Sequence, residues 1–197
     1  MNRYLLPFIA MAFSSPAIAQ VTGPAHSDWE GFYIGAQLDF LPSTEITFDN
    51  LPGLTGELEG VHLGGFIGYR RQFNALVVGG ELDLSGGDVD NTITFGGLSS
   101  DGESQTALNR LGVEAGYDAG RFLPYGTVGL ASLTFQNTIN GDNRSFGTFA
   151  GIGLDYQTGQ YTSVGVELLR HSFSNFSESD DLNVDIITLG VNFAVRY

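Results

Sequence analysis

The chain has 197 residues, no cysteine, 28 glycines, and 22 acidic against 8 basic residues, for a formal net charge of -14. Every basic residue is an arginine. That balance excludes a nucleic-acid-binding role, which needs a basic face for the phosphates, and the missing cysteines exclude a disulfide scaffold and thiolate metal sites.

The first segment, 1–19, reads as a secretory signal. Arg3 supplies the positive start, Tyr4 to Phe13 the apolar core, and Ala17-Ile18-Ala19 the small-x-small cleavage site before Gln20. The core is too short to cross a bilayer and contains Pro7. Residues 20–28 then form a short polar leader on the periplasmic side, and 29–197 a single domain. No later stretch approaches the ~18 consecutive apolar residues of a membrane helix, so a place in a membrane requires a closed barrel.

From Trp29 the chain alternates. Phe32, Ile34, Ala36, Leu38 and Phe40 share one face, and Gly31, Tyr33, Gly35, Gln37 and Asp39 the other. This period of two is a strand, with Trp29 and Phe32 expected at the membrane interface. Residues 41–57, with Pro42, Pro52 and scattered acids, read as a long loop. A second strand carries Val61, Leu63, Ile67 and Tyr69 against His62, Phe66 and Arg70. A short polar stretch to Asn74 then leads to a third, with Leu76, Val78, Leu82 and Leu84 against Val77, Glu81 and Asp83.

Residues 85–103 are rich in Gly, Ser and Asp and read as another long loop. The fourth strand sets Leu111, Val113, Ala115 and Tyr117 against Arg110 and Glu114, and 118–122 is a tight turn. The fifth strand follows, with Pro124 at its start or edge. After a loop around Asn140-Gly141-Asp142-Asn143, the sixth strand sets Ile152, Leu154 and Tyr156 against Phe149 and Asp155. A turn at 157–160 leads to the seventh, Val164, Val166 and Leu168 against Glu167. An acidic loop, 174–183, precedes the last strand, in which Ile187, Leu189, Val191, Phe193, Val195 and Tyr197 form one apolar face up to the final residue.

Eight strands with long connections alternating with short turns predict an all-β fold, an eight-stranded antiparallel up-and-down transmembrane β-barrel. A soluble sandwich would not need that asymmetry or an apolar outer face on every strand.

Three stretches carry a family resemblance: the opening Trp29-Glu30-Gly31-Phe32-Tyr33-Ile34-Gly35, the penultimate run Glu167 to Phe173, and the aromatic-terminated last strand. In these the chain resembles the opacity-type, OmpA-like eight-stranded outer-membrane β-barrels, with Tyr197 where a terminal Phe is more common. The resemblance implies the outer membrane of a Gram-negative bacterium and contact with outer-membrane lipid and lipopolysaccharide. It also implies assembly by the barrel-insertion machinery, with Phe193, Val195 and Tyr197 as the insertion signal. Structural, surface-interaction and small-pore roles all occur within such a family.

With the apolar face toward lipid, the other face lines the lumen: Asp39, His62, Glu81, Asp83, Arg110, Glu114, Glu167 and Arg196, with Gln37, Arg70 and Asp155. Unpaired ions in a narrow interior are costly, so these should pair, with Glu81 and Glu167 as cross-barrel partners for the Arg110 and Glu114 strand. The lumen is then an ionic plug, eight strands enclosing a width that side chains can fill. The alternative is a narrow cation-preferring pore, favoured by inward glycines that thin the filling.

Little else suggests chemistry, and no cofactor or metal is called for. His26, His62 and His171 are scattered. His171-Ser172-Phe173-Ser174-Asn175 loosely resembles the His-x-Ser-Asn of outer-membrane lipid A deacylases. Ser174, however, lies three residues after His171, on the opposite face of a regular strand. Gly151-Ile152-Gly153 alternates within a strand with no helix to follow, which removes a phosphate-loop reading. The acids expected in the loops are Glu45, Asp49, Glu57, Asp88, Asp90, Asp101, Glu103, Asp142, Glu178, Asp180 and Asp181. They are candidate contacts for an extracellular partner or for divalent cations bridging to lipopolysaccharide, without a defined calcium motif.

Overall fold

The computed structural model describes residues 28–47, 54–95, 98–135, 143–173 and 184–197. The signal segment, nearly all of the leader and the tips of the connections at one end lie outside the described residues. Eight strands follow in order: β1 (Gly31–Thr47), β2 (Leu54–Phe73), β3 (Leu76–Phe95), β4 (Leu98–Tyr117), β5 (Phe122–Phe135), β6 (Asn143–Gln157), β7 (Thr162–Phe173) and β8 (Val184–Arg196). Each pairs antiparallel with its sequence neighbours, and β8 returns to β1 to close the barrel. Closure satisfies the backbone groups along the shared ladder, which is what allows strands to lie in lipid.

The period-two pattern sorts the side chains. Leu63 keeps 68% of its surface exposed while its neighbour His62 keeps none. Ile34, Ile67, Leu82, Leu111, Val113, Leu130, Ile152, Leu168, Leu189 and Val191 likewise project outward from the wall. So continuous an apolar surface would be a liability in water and is the solvated face in a bilayer.

The strands are longer than their apolar pattern. The stretches expected as long loops, 41–57 and 85–103, are largely strand: Glu45 pairs with Glu57 across β1 and β2, and Asp90 with Glu103 across β3 and β4. The β3–β4 connection narrows to residues 96–97 between the paired Phe95 and Leu98. The loop reading followed the acids and glycines, but these do not by themselves break a strand, and Asp88 and Asp90 stand exposed on β3. The β-branched Val89, Thr92, Ile93 and Thr94 suit a ladder.

At the other end the turns are tight. Phe73 and Leu76 pair across Asn74-Ala75, with Asn74 at φ 55, a conformation Asn tolerates better than most residues.

Candidate functional site

Among the described residues, the side chains that enter the lumen begin at the turn end with Trp29. The residue is 2% exposed, in a cluster with Val77, Leu123 and Tyr125. Its backbone nitrogen donates to Gln72 Oε1 at 2.9 Å and its indole nitrogen to the Gly120 carbonyl at 3.3 Å. The sequence pattern had placed Trp29 at the lipid interface; instead the chain enters the barrel mouth before β1 begins. The turn occurs at Gly31, whose φ of 134 admits few side chains and whose added Cβ would stand 2.6 Å from the Tyr197 carbonyl oxygen.

Above Trp29 lies the first charged cluster. Arg70 on β2 donates from Nε and Nη2 to the two carboxylate oxygens of Glu114 on β4, and from Nη1 to Asp155 Oδ2 on β6 at 2.7 Å. Its guanidinium also lies 4.7 Å from the Tyr33 ring centre and 5.5 Å from that of Tyr125. A fork this well matched to its acceptors is the arrangement that makes a buried charge tolerable.

Further in, Arg110 on β4 donates to Asp83 on β3 and, at 3.4 Å, to Asp39 on β1, whose other donor is Gln37 Nε2 at 2.9 Å. The expected pairing of Glu81 and Glu167 with the Arg110 and Glu114 strand is therefore replaced. Asp39, Asp83, Asp155 and Arg70 take those places. Glu81 accepts instead from the Tyr33 hydroxyl at 2.9 Å, and Glu167 from the Tyr125 hydroxyl at 2.6 Å. Strand parity puts both tyrosines inward, but a search for charge passes over them.

Toward the loop end the filling turns apolar. Leu41, Val89, Leu108, Ala131, Leu133, Phe149, Leu169, Phe173 and Ile186 form one buried cluster. Two histidines sit among these side chains, both without exposed surface. His62 Nε2 lies 2.7 Å from Thr106 Oγ1, and His171 stacks on Phe173 with ring planes 4° apart. The sequence expects a largely polar and ionic filling, and this apolar layer is added to it by Leu108, Leu133, Leu169 and Phe173.

Four of the inward glycines face aromatic rings. A Cβ on Gly68 would run into the Tyr33 ring, one on Gly153 into Tyr125, one on Gly35 into Phe66, and one on Gly112 would stand 2.7 Å from Phe149. Each of these four glycines makes room for an aromatic ring.

The remaining sequence-predicted residues lie elsewhere. Arg196 is on the rim at the turn end, half-buried, and its long side chain reaches the adjacent turn to donate to the Gln160 carbonyl at 2.9 Å. Phe193 and Tyr197 project outward, Tyr197 80% exposed, and Val195 is partly covered. His171 points inward and Ser172 outward, so the two do not meet, and Ser174 lies outside the described residues.

Ser172 Oγ donates to Asp185 Oδ1, and Arg170 to Asp185 Oδ2 at 2.6 Å. This group is exposed, beyond the apolar belt that runs from Ile187 to Phe193 on β8. The two donors, Ser172 first, hold the Asp185 carboxyl below its ordinary value.

Among the described residues, no group of three or more histidine or acidic side chains is placed to hold a metal ion. Asp49, Asp142, Glu178, Asp180 and Asp181 lie outside the described residues. Asp88 and Asp90 are exposed on β3.

Residues 8–194 match the family described as outer membrane protein beta-barrel domain. The 31 kDa outer-membrane immunogenic protein of Brucella melitensis is 26% identical, over 98% of this chain and 99% of that protein. The 22 kDa outer membrane protein of Rhizobium leguminosarum bv. viciae is 30% identical, over 86% of this chain and 80% of that one. Among solved structures, the outer membrane protein OprG of Pseudomonas aeruginosa shares the fold with a TM-score of 0.55 and 17% identity, over 85% of this chain and 96% of that one.

Proposed function

The chain belongs to the outer membrane protein beta-barrel domain family of Gram-negative outer membranes, and from that premise we propose a non-enzymatic barrel with a plugged lumen and a structural or surface-interaction role. One observation carries the reading: three successive layers cross the lumen, namely Trp29, the two arginine clusters, and the apolar layer around Leu108 and Phe173. The cavity between the arginine clusters and the apolar layer offers only about 10 Å³ to a water centre, room for about one water.

Outer-membrane lipid and lipopolysaccharide are the partners of the outer wall, and the barrel-insertion machinery the partner of the last strand. An extracellular partner would meet the acidic strand ends, where Asp88 and Asp90 stand exposed. The separation of His171 from Ser172 supports the non-enzymatic role.

The deciding experiment is planar-bilayer recording of refolded mature protein whose insertion has been verified. Electrical silence is expected. Reproducible cation-selective steps, altered by Glu81→Gln and Glu114→Gln, would replace this reading with a narrow pore.

A further inference from the structure

The barrel contains an internal repeat that only the register reveals. One row across its first half runs Tyr33 (β1), Gly68 (β2), Glu81 (β3), Gly112 (β4), each paired with the next. A row across the second half runs Tyr125 (β5), Gly153 (β6), Glu167 (β7), Gly190 (β8), paired in the same way. In each row the tyrosine passes over the glycine beside it and gives its hydroxyl hydrogen to the glutamate two strands away. The flanking sequences echo this: Gly79-Gly80-Glu81-Leu82 with Leu111-Gly112-Val113 in one half, Gly165-Val166-Glu167-Leu168 with Leu189-Gly190-Val191 in the other.

The two rows are four strands apart, so Glu81 and Glu167 approach the centre from opposite walls, and both line a small cavity there. The charges around them are unequal. Arg70 is committed to Glu114 and Asp155, and Arg110 to Asp83 and Asp39. Among the described residues, neither Glu81 nor Glu167 has a guanidinium within ion-pair distance. Arg110 and Asp83 line the same cavity, and the Tyr33 hydroxyl also lies 3.4 Å from Glu114 Oε1. Two like carboxylates converging in a closed space do not both ionise.

We propose that Glu81 and Glu167 form a proton-binding site at the centre of the barrel, holding one proton between them at neutral pH. Among the carboxylates of the described lumen, these are the two whose charge can change without breaking an arginine pair. The carboxylates on Arg70 and Arg110 each have a guanidinium for a partner; Glu81 and Glu167 have only neutral donors.

This rests on the plugged-lumen reading, but its test does not depend on conductance. Infrared spectra of the refolded barrel at neutral pH are expected to contain a protonated-carboxyl stretch that shifts in heavy water. Glu81→Gln and Glu167→Gln should each remove it, because the remaining carboxyl then ionises alone. Folding of each variant is read from its heat-modifiable electrophoretic mobility. Absence of the band from the wild-type barrel overturns the site whether or not the variants fold, and so does its persistence in both folded variants. Conducting steps together with the band would overturn the plug and leave the proton site standing.

Discussion

Arg70 and Glu114 face each other across the lumen through two parallel hydrogen bonds, one of them 2.9 Å long, with both side chains almost wholly buried. The same guanidinium reaches Asp155, so one cation ties β2, β4 and β6 together. Arg70→Met removes the cation and leaves two buried carboxylates unmatched. A loss of about 3–5 kcal/mol is expected from breaking such a pair on one side only, read as a lower urea midpoint of the refolded barrel. Adding Glu114→Gln and Asp155→Asn should recover most of it, since the buried charge is then gone on both sides.

Trp29 is the next test. It lies ahead of β1, yet it joins the Gln72 side chain on β2 to the Gly120 turn between β4 and β5. Trp29→Ala empties the turn-end cluster with Val77, Leu123 and Tyr125. Emptying a buried aromatic site costs about 3–5 kcal/mol. Phe32→Ala, on the lipid face a few residues on, should cost clearly less by the same urea titration; equal losses would put Trp29 in lipid.

The glycines beside the tyrosines make a sharper claim. Gly153→Ala sets a methyl group against the Tyr125 ring, so the ring must move and its 2.6 Å bond to Glu167 must break. The expected cost is about 1–3 kcal/mol, the usual range for overpacking. Gly126→Ala, one strand over, is the control: its Cβ would find only the Gly151 carbonyl oxygen, at 3.8 Å. A destabilised Gly126→Ala alongside a neutral Gly153→Ala would refute the packing described.

How far this was legible follows from what alternation can encode. Parity alone assigns Leu63 outward and His62 inward, and the same rule on all eight strands yields the barrel. Parity cannot say how long a strand stays paired once it leaves the apolar belt, because water tolerates either face. That is why alternation predicts a loop at Asp88 and Asp90, where the chain is strand. Nor can it choose partners inside. Arg110 and Glu114 lie on one strand, yet they belong to different clusters, because Arg70 and Asp83 arrive from other strands at different depths. The apolar layer was within reach, since Leu169, His171 and Phe173 share a face with Glu167, but expecting a polar lumen hid it.

Asp185 supplies the pH-dependent prediction. Its carboxyl is held below the ordinary value by the Ser172 hydroxyl first and Arg170 second. A group lowered in the folded state stabilises above its unfolded value, about 3.9 for Asp, and that contribution is lost as pH falls through the lower folded value. The group is exposed, so its share of stability is small and the titration itself is the better readout. Ser172→Ala should raise the Asp185 midpoint toward the ordinary value in a carboxyl-detected NMR titration. An unchanged midpoint would assign the shift to Arg170 alone.

The last strand raises a question that truncation cannot answer. Deleting Phe193 to Tyr197 is expected to abolish outer-membrane insertion, but it also removes Phe193, Ala194, Val195 and Arg196, which pair with β1 and close the barrel. A failure to insert would follow from either loss. Tyr197→Ala separates them. The side chain is exposed, while the bond from the Tyr197 backbone nitrogen to the Phe32 carbonyl, 2.8 Å long, belongs to any residue at that position. Closure should survive, so folding into detergent micelles and the urea midpoint should match the parent. If the terminal aromatic ring is what the insertion machinery reads, the variant's insertion in cells should fall several-fold while micelle folding does not change. Normal insertion in cells would assign the role of this strand to closure alone, and slower folding in micelles would mean that the ring acts through packing against lipid.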